Sequence, residues 1–136
     1  MAESWSAVPE WIRKAESDWV ALQVLAGQNT GHLSDAVVFH AQQCVEKLLK
    51  ARLIQLGEEV KKTHDLLALS RQLSAVDPTW SWDDDELIDL SSGGVLARYP
   101  GFDTSPEEAR ELVALAAALR EALLSCLGVG GEPALT

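Results

Sequence analysis

Residues 34–53 read Ser-Asp-Ala-Val-Val-Phe-His-Ala-Gln-Gln-Cys-Val-Glu-Lys-Leu-Leu-Lys-Ala-Arg-Leu, with no proline and no glycine. From Leu33 to Leu56 the pattern is that of one long helix. Val37, Val38, Ala41, Cys44, Val45, Leu48, Leu49, Ala51 and Leu56 fill one broad arc of the helical wheel. That arc is wider than the apolar stripe of a helix lying on a surface, so this helix is expected at the centre with neighbours on several sides. Ser34 is expected as the N-cap with Asp35 in the first turn, and Gly57 as a left-handed stop. The opposite side carries Gln43, Glu46, Lys47 and Lys50, with His40 at its border. A polar strip on an otherwise enclosed helix is the first candidate for a site.

Outward from this helix, the same period continues in both directions. Pro9 to Ala26 places Trp11, Ile12, Ala15, Trp19, Leu22 and Ala26 at three- and four-residue steps, an amphipathic helix opened by proline. Gly27 to Gly31 is the turn. After a polar loop from Gly57 to Thr63, a third helix is expected with Thr63 as its cap, an apolar face of Leu66, Leu67, Leu69 and Leu73, and Asp77-Pro78 as its end. Asp83 to Glu86 then open a short fourth helix, which Gly93-Gly94 is expected to stop. Pro100-Gly101 marks a turn. Ser105-Pro106-Glu107-Glu108 has the pattern of a capping box with proline at the first helical position, and the last helix is expected to run to about Leu127. No stretch alternates with period two. The expected fold is all-α, an antiparallel helical bundle of four to five helices.

The 136 residues make one domain by length, with a core at about 9–127 and loose ends at 1–8 and 128–136. No apolar run reaches the roughly 18–20 residues of a membrane span, and no basic stretch followed by an apolar one opens the chain. The expected location is the cytoplasm, without a membrane partner. Cys44 and Cys126 each sit on an apolar helical face and read as free buried thiols. A net charge of -10 argues against nucleic-acid binding through bulk charge. The distribution is uneven, however. Residues 40–71 hold Lys47, Lys50, Arg52, Lys61, Lys62 and Arg71 against Glu46, Glu58, Glu59 and Asp65, a net of +2, which leaves -12 on the remainder. A local anionic ligand stays plausible on chemistry.

Two readings stay open at each candidate. His40, Gln43, Lys47 and Lys50 follow helical steps and line one edge. The lysines could neutralise phosphate oxygens, His40 could donate to a phosphate or carry a proton, and Gln43 could read a base edge or a ribose hydroxyl. The same residues equally form a polar seam bonded to a neighbouring helix or to a second subunit. His64 and Asp65 stand at a helix start beside Lys61 and Lys62, a place for an anion or simply a cap. Arg98 could reach a phosphate and Tyr99 stack on a base, or Tyr99-Pro100 could wedge the turn against the bundle. His40 and Cys44, four apart, lack further ligands for zinc. Adjacent carboxylates at 83–86 point around a helix rather than converging on a metal. No glycine-rich phosphate loop is present, so neither a metal nor a cofactor is expected.

Taken in order, Trp19, the block Phe39-His40-Ala41-Gln42-Gln43-Cys44-Val45-Glu46-Lys47-Leu48-Leu49-Lys50-Ala51, Thr63-His64-Asp65-Leu66, Arg98-Tyr99-Pro100 and Glu108-Ala109-Arg110 resemble a HEPN domain over roughly residues 9 to 127. The resemblance implies a helical bundle that usually forms a homodimer and is often encoded beside a minimal nucleotidyltransferase. It also implies a nucleotide- or RNA-binding role. Some branches are ribonuclease toxins of toxin-antitoxin pairs that use an Arg followed, four to six residues on, by His. Here neither His32, His40 nor His64 has such an Arg before it, and no His follows Arg98. The ribonuclease chemistry is therefore not carried over, and a toxin would need a variant site at His40 or His64. The expected function is a HEPN binding module using His40, Gln43, Lys47, Lys50, His64, Asp65, Arg98 and Tyr99, with a purely structural subunit that engages a basic partner as a further reading.

Overall fold

The computed structural model describes residues 7–28 and 31–129. Five helices make up the described chain: α1 (Val8–Ala26), α2 (Ser34–Gln55), α3 (Leu66–Val76), α4 (Asp84–Leu96) and α5 (Pro106–Leu127). A 3-10 turn, Gly31–Leu33, leads into α2, and no strand occurs among the described residues. The all-α bundle is the fold that the periodicity predicts. Of the predicted loose ends, residues 1–6 and 130–136 lie outside the described residues. Ala7 and Val8 do not belong to a leader: Val8 opens α1 and is buried.

The central helix is α2, which packs on all four others, most extensively on α1 and α5. Its side chains Val38, Ala41, Cys44, Val45, Leu48, Leu49 and Leu53 are fully enclosed. All of these but Val38 join Leu22 of α1, Leu66, Leu69 and Leu73 of α3, Leu87 and Leu90 of α4, and Leu119 and Leu123 of α5 in one continuous core. Each such leucine contributes about 1.5–3 kcal/mol by leaving water, and truncation of Leu48 to alanine would cost about 2–5 kcal/mol. Leu56, expected on the buried arc, lies past the helix end and is exposed.

Several helix ends differ from their sequence expectations. Ser34 does not cap α2. The helix continues out of the 3-10 turn, so its boundary falls at Leu33 without a side-chain cap, and Ser34 is its first residue. Asp35 is spent elsewhere: its Oδ1 accepts the Thr104 backbone N–H at 2.8 Å, tying the chain before α5 to the start of α2. Asp65, not Thr63, caps α3 by accepting the Leu67 N–H, while Thr63 accepts the N–H of Asp65 one step earlier. The capping box of α5 forms as read, with Ser105 and Glu108 each accepting the other's N–H. Gly57 stands past α2 with φ +81°, and Gly128 closes α5 with φ +86°.

Gly93 and Gly94 do not stop α4, which runs on to Leu96. Their role is close approach. A Cβ on Gly94 would lie 2.5 Å from Gln42 Cβ, and one on Gly93 would lie 2.9 Å from Leu112 Cδ1. The glycine pair lets α4 press onto α2 at the level of the polar strip. Beyond α3, Trp80 stacks on Trp82 and its indole N–H donates to Ser70 Oγ at 3.0 Å, which seats the connector on the bundle.

Candidate functional site

The polar side of α2 is not a solvated strip. It is organised by two buried carboxylates. The first is Asp18 of α1, on the enclosed face of that helix between Ala15 and Leu22. Its Oδ1 accepts from His40 Nδ1 at 2.8 Å and its Oδ2 from Lys47 Nζ at 2.6 Å. A carboxylate can only accept, so the proton of His40 sits on Nδ1. The second is Glu46 of α2 itself, 3% exposed. It accepts from Gln42 Nε2, Lys50 Nζ and His64 Nδ1, each at 3.0 Å. Lys50, one turn on, is also buried and lies 5.8 Å from the Trp11 ring centroid.

The second hub fixes the loop before α3. The His64 carbonyl accepts from Gln42 Nε2 at 3.0 Å and from Ser91 Oγ of α4 at 3.3 Å. Ser91 Oγ in turn accepts the Leu66 N–H at 3.1 Å. Together with Asp65, it takes up the first N–H groups of α3, leaving that helix start capped by the protein's own oxygens. The His64 ring stays largely exposed, held by its Nδ1 to Glu46. Gln43 joins the same network through Gln42 Oε1 at 2.9 Å.

The predicted residues therefore fall into three places. His40 and Lys47 meet at Asp18. Lys50, His64 and, through Gln42, Gln43 meet at Glu46. Arg98 lies over the Phe39 ring, 5.6 Å from its centroid, and Phe39 meets the His40 ring edge-on at 5.3 Å. Asp65 is a cap. Tyr99 is 54% exposed and does not wedge the turn. No single hollow gathers these groups. His64 and Asp65 border a depression of about 490 Å³ with Leu67, Ile88, Ser91 and Leu96. Lys47 borders another of about 450 Å³ with Glu10, Trp11 and Lys14. A hollow of about 540 Å³ between the end of α1 and the starts of α2 and α5 is lined mostly by apolar groups such as Leu25, Val37 and Val113, with none of the predicted residues.

The electrostatics follow from these partners. Lys47 and Lys50 each have a buried carboxylate within 3.0 Å, so the strip is neutral overall when its imidazoles are. Lys61 and Lys62 remain exposed beside His64. Cys44 is no nucleophile: burial pushes its thiol up to about 12, with the Glu16 carboxylate acting in the same direction. Among the described residues no three His, Cys, Asp or Glu side chains converge as a metal site, and no described helix is long and apolar enough to cross a membrane.

Sequence reasoning missed Asp18, Gln42 and Ser91 as site residues, and named Glu46 on the polar strip without its role as the buried acceptor. One signal was available for Asp18, an acid at helical spacing between Ala15 and Leu22 on an apolar face. Such a residue is buried only with a partner, and His40 and Lys47 are the partners. A family model described as HEPN domain matches residues 8–126 of the chain. No curated protein and no solved structure gives a significant match.

Proposed function

The chain belongs to the HEPN family, and from that membership we propose that it is a binding module acting through protein contact, with the whole chain serving as one domain. Its partners are a second copy of itself and a minimal nucleotidyltransferase, the associations that the resemblance implies. The observation that carries this reading is the state of the lysines. Lys47 and Lys50, the cations best placed to hold a phosphate, are already bonded to Asp18 and Glu46. Freeing either would leave a carboxylate buried without its cation, at about 3–5 kcal/mol. A phosphate would have to supply that much before it gained anything.

A second reading, a nucleotide or RNA phosphate at the His64 loop, has Lys61 and Lys62 in its favour, since both are exposed and next to the outward His64 ring. Calorimetric titration with ATP decides between them. Protein contact predicts no heat at millimolar nucleotide, together with a dimer in sedimentation velocity. Saturable heat that disappears in Lys61→Ala/Lys62→Ala, from a protein that sediments as a monomer, would replace the first reading with the second.

A further inference from the structure

Among the described residues α4 leaves an outer face that carries large apolar side chains without a neighbour. On α4, Leu87, Leu90 and Gly94 turn inward. The outward side carries Asp85, Ile88, Asp89, Ser92 and Leu96, one helical stripe. Ile88 and Leu96 are 43% and 40% exposed, and the turn that follows adds Tyr99 and Phe102, each about half exposed. Large apolar side chains clustered on one face are costly to leave in water and mark contact surfaces. The stripe is a ridge between two depressions. One, of about 490 Å³, reaches back to His64 and Leu67. The other, of about 470 Å³, extends to Phe102 and Leu112. Ser92 and Leu96 line both.

The charge around this ridge has one sign. Between Asp83 and Glu111 the sequence places nine carboxylates against Arg98 and Arg110, a net of -7 out of -10 for the chain. Asp89, Asp103, Glu108 and Glu111 line the second depression, and no cation lines it with them. Arg98 is drawn off to the Phe39 ring, and Arg110 to Glu107. Asp84 has Arg71. Among the described residues Asp85, Asp89, Asp103 and Glu111 have no cation within 4 Å.

We propose that the outer face of α4, with the turn at Tyr99 and Phe102, docks a basic protein partner that presents apolar side chains flanked by lysine or arginine. This rests on the reading that the domain works by protein contact, and it names the partner's chemistry. A second copy of this chain does not fit here. An isologous contact would set carboxylates against carboxylates, and like charges across an interface are strongly opposed. Self-association therefore uses another face. The apolar ridge supplies the binding free energy, and the acidic surround supplies orientation and the rate of encounter.

The test uses the full chain, with an amphipathic Leu/Lys helical peptide as the probe and amide chemical shifts as the readout. A Leu/Glu peptide of the same pattern and an oligolysine of the same length are the controls. Shifts are expected in the Leu/Lys titration over α4, residues 99–103 and the flanking groups at 64–67 and 108–112. Binding should weaken at least roughly tenfold in Asp89→Lys/Asp103→Lys and in Leu96→Ser/Phe102→Ser, all exposed positions where the helical circular dichroism should be unchanged. Oligolysine binding as tightly as the Leu/Lys peptide, shifts centred elsewhere, or a wild-type self-association abolished by Leu96→Ser/Phe102→Ser would each overturn the proposal. Saturable ATP heat that disappears in Lys61→Ala/Lys62→Ala, from a protein that sediments as a monomer, sinks the underlying protein-contact reading instead, and does so whatever the peptide map shows.

Discussion

Replacing Gly94 by alanine sets two forces against each other, and the structure says which one wins. Inside a helix, alanine is favoured over glycine by about 1 kcal/mol, and Gly94 lies within α4. Propensity alone therefore predicts a more stable protein. The added methyl, however, would sit 2.5 Å from Gln42 Cβ and 2.6 Å from Gln42 Cγ. Those atoms are not the far end of a flexible side chain. They are rooted on the backbone of α2, and Gln42 is held at its tip by Glu46 and the His64 carbonyl. Relief requires α4 to move off α2, which is overpacking at the upper end of about 1–3 kcal/mol or beyond. The net expectation is a loss of about 2 kcal/mol, about 7 °C in melting temperature for a domain of this size. Gly93→Ala should cost less, because its nearest obstacles, Leu112 Cδ1 and Val38 Cγ1, are methyl tips that can turn. Gly27→Ala, with ordinary contacts at 3.4 Å, should be close to neutral. Urea unfolding of the three variants gives the order directly. A Gly94→Ala protein as stable as the parent would refute the close-approach argument and restore the simpler view of these glycines as weak points in a helix.

Other consequences follow from the buried charges. In a double-mutant cycle, Glu46→Ala and Lys50→Ala should each destabilise strongly, with a coupling of about 2 kcal/mol. The exposed pair Arg71 and Asp84 should couple within about 0.5 kcal/mol; equal couplings would show that burial is irrelevant. Asp77 is held below the usual carboxylate range, first by the Thr79 hydroxyl and then by Arg52. Its contribution is present above the unfolded carboxylate value and lost as pH falls through the lower folded one. Asp77→Ala should therefore cost about 2–3 kcal/mol at neutral pH, and the gap to wild type should close in acid; a gap that stays constant with pH contradicts this. Native protein should react with maleimide at the half-buried Cys126 and leave Cys44 untouched until urea unfolds it, because Cys44 is enclosed and its thiol is raised to about 12. Peptide mapping that finds modified Cys44 in folded protein would contradict the buried, central placement of α2.

What the sequence made legible was whatever depends on neighbours within one helical turn. The long apolar arc of α2, the proline near the start of α1, the capping box at Ser105 and the left-handed glycine after Leu56 are local patterns with local causes, and each has its counterpart in the structure. What it concealed depends on a second element arriving. Glu46 stood on the polar strip because on a wheel it neighbours Lys47 and Lys50; its role as a buried acceptor is set by the loop at His64, whose ring donates to it. Gly93-Gly94 looks like punctuation until Gln42 is known to lie against it. Ser34 looks like a cap until the chain is seen to enter α2 through a 3-10 turn.

The same logic separates the two charged regions of the molecule. A helix wrapped by four others has no room for an uncompensated polar edge, so every ionic group on α2 that points inward must find its counter-charge inside the protein. Asp18 meets that demand for His40 and Lys47, and Glu46 for Lys50, His64 and Gln42. Both hubs are also directional: Asp18 accepts only if α1 lies on α2 in one register, and Glu46 accepts from His64 only if the loop returns at one height. Their contribution is thus to the uniqueness of the packing more than to its depth, the role for which buried ion pairs are best attested. Once the basic groups of α2 are committed in this way, the largest unbalanced charge is the acid around α4 and the start of α5, with Lys61 and Lys62 the exposed cations beside His64. A basic strip was the first place to look in the sequence. In the folded chain its lysines are bonded to Asp18 and Glu46, and the surface proposed for a partner is the acidic one.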